Sequence, residues 1–198
     1  MELQDKQFSV NLLRDKGVDS FLVKSSLYPS LEKEDKALFY WVNVLRSNPP
    51  DFKKNLIEPF LLQFPEANSS YSKSLLKDLD RSSSLPMVEP NAVLLKESKS
   101  HVTDLVLYQK EISHNSSDGR SFQTRMFDAG IVNCAGENIY EGNKDALFAL
   151  IILLIDQGVP NKGHRLTLLN PQFNQMGSSF GQKRNGNAYF LVQIFSCK

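Results

Sequence analysis

The 198-residue sequence has only two cysteines, Cys134 and Cys197. Two thiols are too few for a disulfide scaffold, and they are not spaced as a local metal motif. They read either as one bridge, between the approach to the Gly136-Glu137 stretch and the end of the last strand, or as two inert thiols. Long apolar runs are also missing. The longest, Ala146 to Ile155, is about half of what a membrane-spanning helix needs and reads as a core helix. Charge of one sign is missing too: the formal net charge is +1, so nothing favours bulk nucleic acid or a membrane surface as partner. The start, Met1-Glu2-Leu3-Gln4-Asp5, is polar and holds no secretory signal, as expected of a cytosolic chain or of a mature or recombinant form whose leader is gone. No His-Glu-x-x-His helix occurs.

What is present is an ordinary globular composition, 41% apolar and 23% charged, in a length suited to one domain with a small appendage. Residues 1–30 carry scattered apolar positions and form an amino-terminal extension, one or two short helices that could act as a spacer. Residues 31–198 form the main domain. In the first long helix, Leu31 to Arg46, Leu38, Trp41, Val42 and Leu45 make an apolar stripe that Asn48-Pro49-Pro50 ends. A second helix over 51–64 should break at Glu58-Pro59. The serine-rich stretch 67–86 reads as a long loop with a short helical piece around Leu75 to Leu79. Asn91 caps a helix reaching about Ile112, with Val93, Leu94, Val102, Leu105 and Val106 facing the core. Short helices follow at 121–129 and 165–169, and Asp145 caps the apolar helix between them. Met176 to Arg184 and Asn187 to Phe195 form a hairpin around Asn185-Gly186. Its second strand is apolar on both faces and so belongs inside a sheet covered by helices, an α-β-α sandwich.

Three stretches carry chemistry. His114 lies in a turn-rich segment, Glu137 in Gly136-Glu137-Asn138-Ile139, and His164 in Gly163-His164-Arg165. Imidazole and carboxylate bind metals or move protons, and neighbouring glycines let the backbone approach a cleft closely. The alternative for Glu137 is a structural one, a buried acceptor for the backbone N–H groups of its own loop. His101, mid-helix without an acidic partner, reads as a solvent-facing or helix-packing residue. Ser116 and Ser117 are poor nucleophiles, because a serine adjacent to its histidine rarely meets triad geometry. Cys134 has no basic neighbour to activate it. Asn68-Ser69-Ser70 and Asn115-Ser116-Ser117 fit the glycosylation sequon, which matters only in a eukaryotic secretory route.

These stretches, in this order, resemble the CAP superfamily of SCP-like, pathogenesis-related-1-like domains. The resemblance covers roughly 31–195. Asn43, Arg46 and Pro49 match the family's opening Asn-x-x-Arg helix in shortened form. His114 matches its first histidine, Gly136-Glu137-Asn138-Ile139 its Gly-Glu-Asn signature, His164 its Gly-His, and Gly177 and Tyr189 its closing strands. Eukaryotic members usually place a second glutamate before Gly-His; the nearest acid here is Asp156. With Gly-His-Arg this looks like a bacterial-type member. The resemblance implies an α+β fold, a three-layer α-β-α sandwich with a central, mainly antiparallel sheet. It implies a cleft where His114, Glu137, His164 and Asp156 converge, with a divalent cation such as zinc on His114 and His164 in some members and no required cofactor. It also implies an exported or cell-surface protein, in some cases lipid-anchored, whose partners include sterols, lipids or host proteins. Binding or a structural role is expected before catalysis, with weak metal-dependent hydrolysis as the remaining reading.

Overall fold

An apolar strand near the carboxyl end organises the fold. The computed structural model describes residues 6–108, 111–132, 134–184 and 186–198. In chain order the elements are α1 (Lys16–Leu22), α2 (Lys33–Ser47), α3 (Pro49–Phe52), a π-helical turn (Lys53–Ile57), α4 (Glu58–Gln63), α5 (Ser70–Arg81), β1 (Glu89–Pro90), α6 (Ala92–Tyr108), α7 (Phe122–Asp128), β2 (Ala135–Gly142), α8 (Ala146–Ile155), α9 (Gly163–Leu168), β3 (Gln175–Gln182) and β4 (Tyr189–Ser196). The four strands lie in the order β1-β3-β4-β2, antiparallel except for the short β1–β3 pair. β4 is therefore interior and β2 is an edge.

Alternation along β4 builds the two apolar layers. Phe190, Val192 and Ile194 pack with Leu94, Val102 and Leu105 of α6 and with Phe122 and Met126 of α7. Leu191 and Phe195 join the larger core on the other face, made with α2, α4 and α8. The result is the expected three-layer sandwich. α6 lies directly on β3 because that face of the strand is nearly bare. A Cβ at Gly177 would come within 2.1 Å of the Leu94 carbonyl carbon, so no side chain fits there.

The remaining segments follow and correct the sequence reading. Asn91 caps α6, accepting from the N–H groups of Val93 and Leu94, but Val93 is 37% exposed rather than in the core. α6 is described through Tyr108, and Ile112 lies outside it. The expected break at Pro59 does not occur. A π turn precedes it, with the Glu58 N–H reaching the Lys53 carbonyl, and the helix continues through Gln63; such a turn accommodates a proline that lacks an N–H. The serine-rich stretch is not a loop. Ser69 and Ser72 form a reciprocal capping box that starts the twelve-residue α5, whose Leu75 and Leu79 are buried. Gly136-Glu137-Asn138-Ile139, a loop in the structural alternative for Glu137, lies on β2. The hairpin joins β3 to β4 through a longer connection, closed by the Lys183 N–H on the Ala188 carbonyl; Asn185 lies outside the described residues. Cys134 and Cys197 are disulfide-bonded, tying the approach to β2 to the end of β4. The described amino-terminal residues pack on the larger core through Phe8, Val18 and Leu22.

One buried charge works against this core. Asp35 of α2 is 7% exposed and accepts from the Ser178 hydroxyl at 2.8 Å. Burial pushes its carboxyl up to about 6, while the Ser178 bond and Lys144 pull it down and Glu32 and Glu34 raise it further. A folded pKa above the unfolded value gives stability that is complete below about pH 4 and lost as pH rises through about 6. Asp35→Asn keeps an acceptor for Ser178 and removes that loss. Urea melts should show the variant more stable by about 1–3 kcal/mol above pH 6 and indistinguishable from wild type near pH 4. A constant difference across that range would refute the assignment.

Candidate functional site

Two imidazole–carboxylate pairs lie by the edge strand β2, one tied to α7 and the other to the corner between α8 and α9. On the α6 and α7 side, His114 Nδ1–H donates to Glu137 Oε1 at 2.8 Å. The other oxygen, Oε2, accepts from Arg125 Nη2 at 2.8 Å. Glu137 and Arg125 are buried, whereas the His114 side chain is half exposed. Ser121 caps α7 and fixes the helix that carries Arg125. Arg125 Nη2 also reaches the His114 carbonyl at 3.3 Å, so one guanidinium holds both the carboxylate and the loop of the histidine.

On the α8 and α9 side, His164 Nδ1–H donates to Asp156 Oδ1 at 2.7 Å. Asp156 Oδ2 accepts the backbone N–H groups of His164 at 3.0 Å and Arg165 at 3.3 Å. Asp156 ends α8 in the left-handed conformation, φ 59°, a place that favours Gly or Asn. Its carboxylate offsets that cost by capping the turn that presents His164. A carboxylate only accepts, so in each pair the proton sits on Nδ1 and Nε2 is left facing outward.

The structure thus joins His114 with Glu137 and His164 with Asp156. Glu137 does not bond the backbone of a loop, as its structural alternative required; its partners are side chains. Among the described residues no group of three or more His, Cys, Asp or Glu is placed to hold a metal ion. A closed four-ligand zinc site is therefore not built here.

A cavity of about 240 Å³ opens beside the second pair, lined by Ile139, Tyr140, Ile152, Leu153, Asp156 and His164 among others. Behind β2, Asn138 donates to Gln193 Oε1 at 3.2 Å and weakly to the His164 carbonyl at 3.4 Å. Asn138 Oδ1 and Gln193 Nε2 are buried without a partner among the described residues.

Sequence reasoning missed Arg125, since nothing in its helix marks it beyond being a cation twelve residues before Glu137. It also left open a solvent-facing His101, which the structure corrects. His101 is 1% exposed and packs under the loop, donating from Nε2 to the Ser113 carbonyl at 2.9 Å. Desolvation lowers its pKa, with Arg125 adding to the shift and Glu137, Asp104 and the Ser113 bond opposing it. The nucleophile candidates fall away: the Ser117 hydroxyl is bound to Asp104, not to His114, and Cys134 is in the disulfide.

The burial of the Arg125–Glu137 pair gives a prediction. Glu137→Gln leaves a buried guanidinium without its anion and should cost about 3 kcal/mol in urea unfolding. His114→Ala, at an exposed side chain, should cost less than about 1 kcal/mol. Equal costs for the two variants would contradict the division between a structural anion and a free imidazole.

The family model described as "CAP: Cysteine-rich secretory protein family" matches residues 39–195. Among solved structures, an extracellular protein containing an SCP domain from Bacillus anthracis is 26% identical at a TM-score of 0.48, covering 64% of this chain and 40% of that one. The chain therefore spans less than half the length of that protein. An outer surface protein from Borrelia burgdorferi is 21% identical at a TM-score of 0.48, over 65% of this chain and 89% of the other. Venom allergen-like protein 4 of Schistosoma mansoni is 11% identical at a TM-score of 0.52, over 84% and 90%. No curated protein matches.

Proposed function

The chain belongs to the CAP, or cysteine-rich secretory protein, family, and from that premise we propose that it is an extracellular or cell-surface binding protein whose His114 and His164 hold a divalent cation, with zinc the best chemical match. The carrying observation is that both rings are fixed through Nδ1 by a buried carboxylate, which leaves both Nε2 atoms free. An outer-shell carboxylate on one ring nitrogen orients the other nitrogen as a metal ligand. The donor set suits a cation held by two imidazoles and completed by water, the open type of coordination. Such an ion would supply Lewis acidity, and the protein's own part is to hold the two rings.

Export is supported by the Cys134–Cys197 bridge, since disulfides persist in oxidising compartments, and by the secretory character of the family. No helix among the described residues is long and apolar enough to cross a membrane. Hydrolysis is not favoured, because among the described residues no serine or thiolate is paired with either imidazole. The cavity bears on the sterol alternative. At about 240 Å³ it lies below the roughly 300–1,000 Å³ of pockets that enclose whole drug-sized ligands.

Calorimetric titration of zinc into wild type should show saturable binding that the His114→Ala, His164→Ala double variant loses. Asp156→Asn should weaken it about 10- to 100-fold, as outer-shell losses do. Equal zinc binding by wild type and the double variant would rule the reading out.

A further inference from the structure

The core stripe of α6 is apolar at both ends and polar in its middle. Its buried positions are Leu94, Ser98, His101, Val102 and Leu105, a spacing that puts all of them on one helix face. Leu94, Val102 and Leu105 join Phe122 and Met126 of α7 in one apolar cluster. Ser98 and His101 sit in the middle of that stripe, and neither is fully bonded. Ser98 Oγ and His101 Nδ1 are buried without a partner among the described residues, as are Nε and Nη1 of Arg125 on α7.

Buried polar atoms left unpaired cost stability, and apolar residues at 98 and 101 would not carry that cost. Polar residues kept in a core against stability mark a role other than packing. What this layer gains is a hold on one loop. His101 Nε2–H donates to the Ser113 carbonyl at 2.9 Å, and Arg125 Nη2 reaches the next carbonyl, that of His114, at 3.3 Å. A carbonyl only accepts, so the His101 proton is on Nε2 and Nδ1 is the bare acceptor left over.

Regular structure does not hold that loop. Among the described residues no backbone–backbone bond reaches 111–115, and the bonds between Ser113 and Asn115 are internal to the segment. The His114 side chain is half exposed, so packing does not fix the ring. Its Nδ1–H meets Glu137 Oε1 only while the backbone at 113–114 keeps its place. His164, by contrast, has its backbone inside α9. One ring is placed by a helix, the other by a loop pinned at consecutive carbonyls.

We infer that His101 is a positioning residue for His114: through the Ser113 carbonyl it holds the loop where the His114 ring meets Glu137 and presents Nε2 to a cation. Arg125 is the second hold, and the buried polar cluster is kept for this geometry against stability. The inference rests on the cation reading for its zinc measurement alone; its spectroscopic measurement is made without metal.

Three variants test it. His101→Leu removes the donor and makes the core position apolar, whereas His101→Gln keeps an N–H in place of Nε2–H. Ser98→Ala removes an unpaired hydroxyl and leaves the loop bond alone. Ser113 is only half-buried, so its freed carbonyl can turn to water. His101→Leu should therefore unfold at the same urea concentration as wild type or at a higher one. Long-range proton–nitrogen spectra of the His114 ring are recorded on metal-free protein at about pH 8, where an ordinary imidazole is neutral. They should show the single Nδ1–H form in wild type, Ser98→Ala and His101→Gln, and a mixture of both tautomers in His101→Leu. Zinc affinity should fall about tenfold in His101→Leu, the loss expected when the competent loop is populated about a tenth of the time. The other two variants should bind zinc like wild type. The inference is overturned if His101→Leu keeps the single His114 form. It is also overturned if that variant fails to fold or unfolds at clearly lower urea, which would make His101 a structural residue. An equal loss of zinc binding in Ser98→Ala would count against it as well, since that change spares the loop bond. Should wild type bind no zinc, the cation reading falls, while the metal-free spectra still decide the role of His101.

Discussion

A carboxylate without water must find donors, and the corner between α8 and α9 is built around that requirement at Asp156. Its side chain is fully buried and takes three donors, all from residues 164 and 165: two backbone N–H groups and the His164 ring. The negative charge sits at the amino end of α9, where free N–H groups favour an anion. Arg165 completes the corner by donating to the Leu154 and Ile155 carbonyls at the end of α8 and reaching Asp78 and the Tyr71 carbonyl on α5. The most apolar helix of the chain, the short helix that bears His164 and the capped α5 are thereby one unit. The position of the imidazole is a consequence of how the core ends.

Glu137 plays the matching part at the other pair, on β2 itself. Its partner Arg125 comes from α7, so the layer that covers the sheet also supplies the cation that holds the carboxylate. Each pair is thus fastened to a different layer, and the edge strand is the only element common to both. That arrangement explains why the strand is polar at two of its buried positions, Glu137 and Asn138, where an edge strand of this burial would otherwise be apolar.

The parts of this architecture that depend on local pattern were legible in the sequence. The two-sided apolar run of β4, the capped helix at Asp145 and the stop at Asn48-Pro49 each state their own structure through period, cap or breaker. The family resemblance selected His114, Glu137, His164 and Asp156, and the fold puts them together in pairs. What was not legible depends on distance along the chain. α5 was hidden because serine content reads as loop until Ser69 and Ser72 are seen to cap one another. β2 was hidden because its buried run begins with Glu137 and Asn138, one on each face, instead of with an alternating apolar set. Arg125 and His101 have no signal at all, since only tertiary packing brings α6 and α7 over Glu137.

Hydrogen-bond saturation separates the polar residues that hold this protein together from those left to act. Arg46 is buried, its pKa lowered to about 10 by desolvation, and it donates to four backbone carbonyls, those of Pro86, Leu168, Asn170 and Phe173. Asn43 exchanges both of its bonds with the Val88 backbone. Both residues belong to the resemblance as much as His114 does, yet they are fully buried and bonded to backbone, and their place in the motif is to close loops onto α2. The two imidazoles are different, each having spent one nitrogen on a carboxylate and kept the other. The backbone of β2 is in the same condition, bonded on one side and open on the other. By this criterion the two imidazole nitrogens and the open side of β2 are capacity left within a ligand's reach, whereas the unpartnered atoms of Ser98, His101 and Arg125 among the described residues are sealed inside.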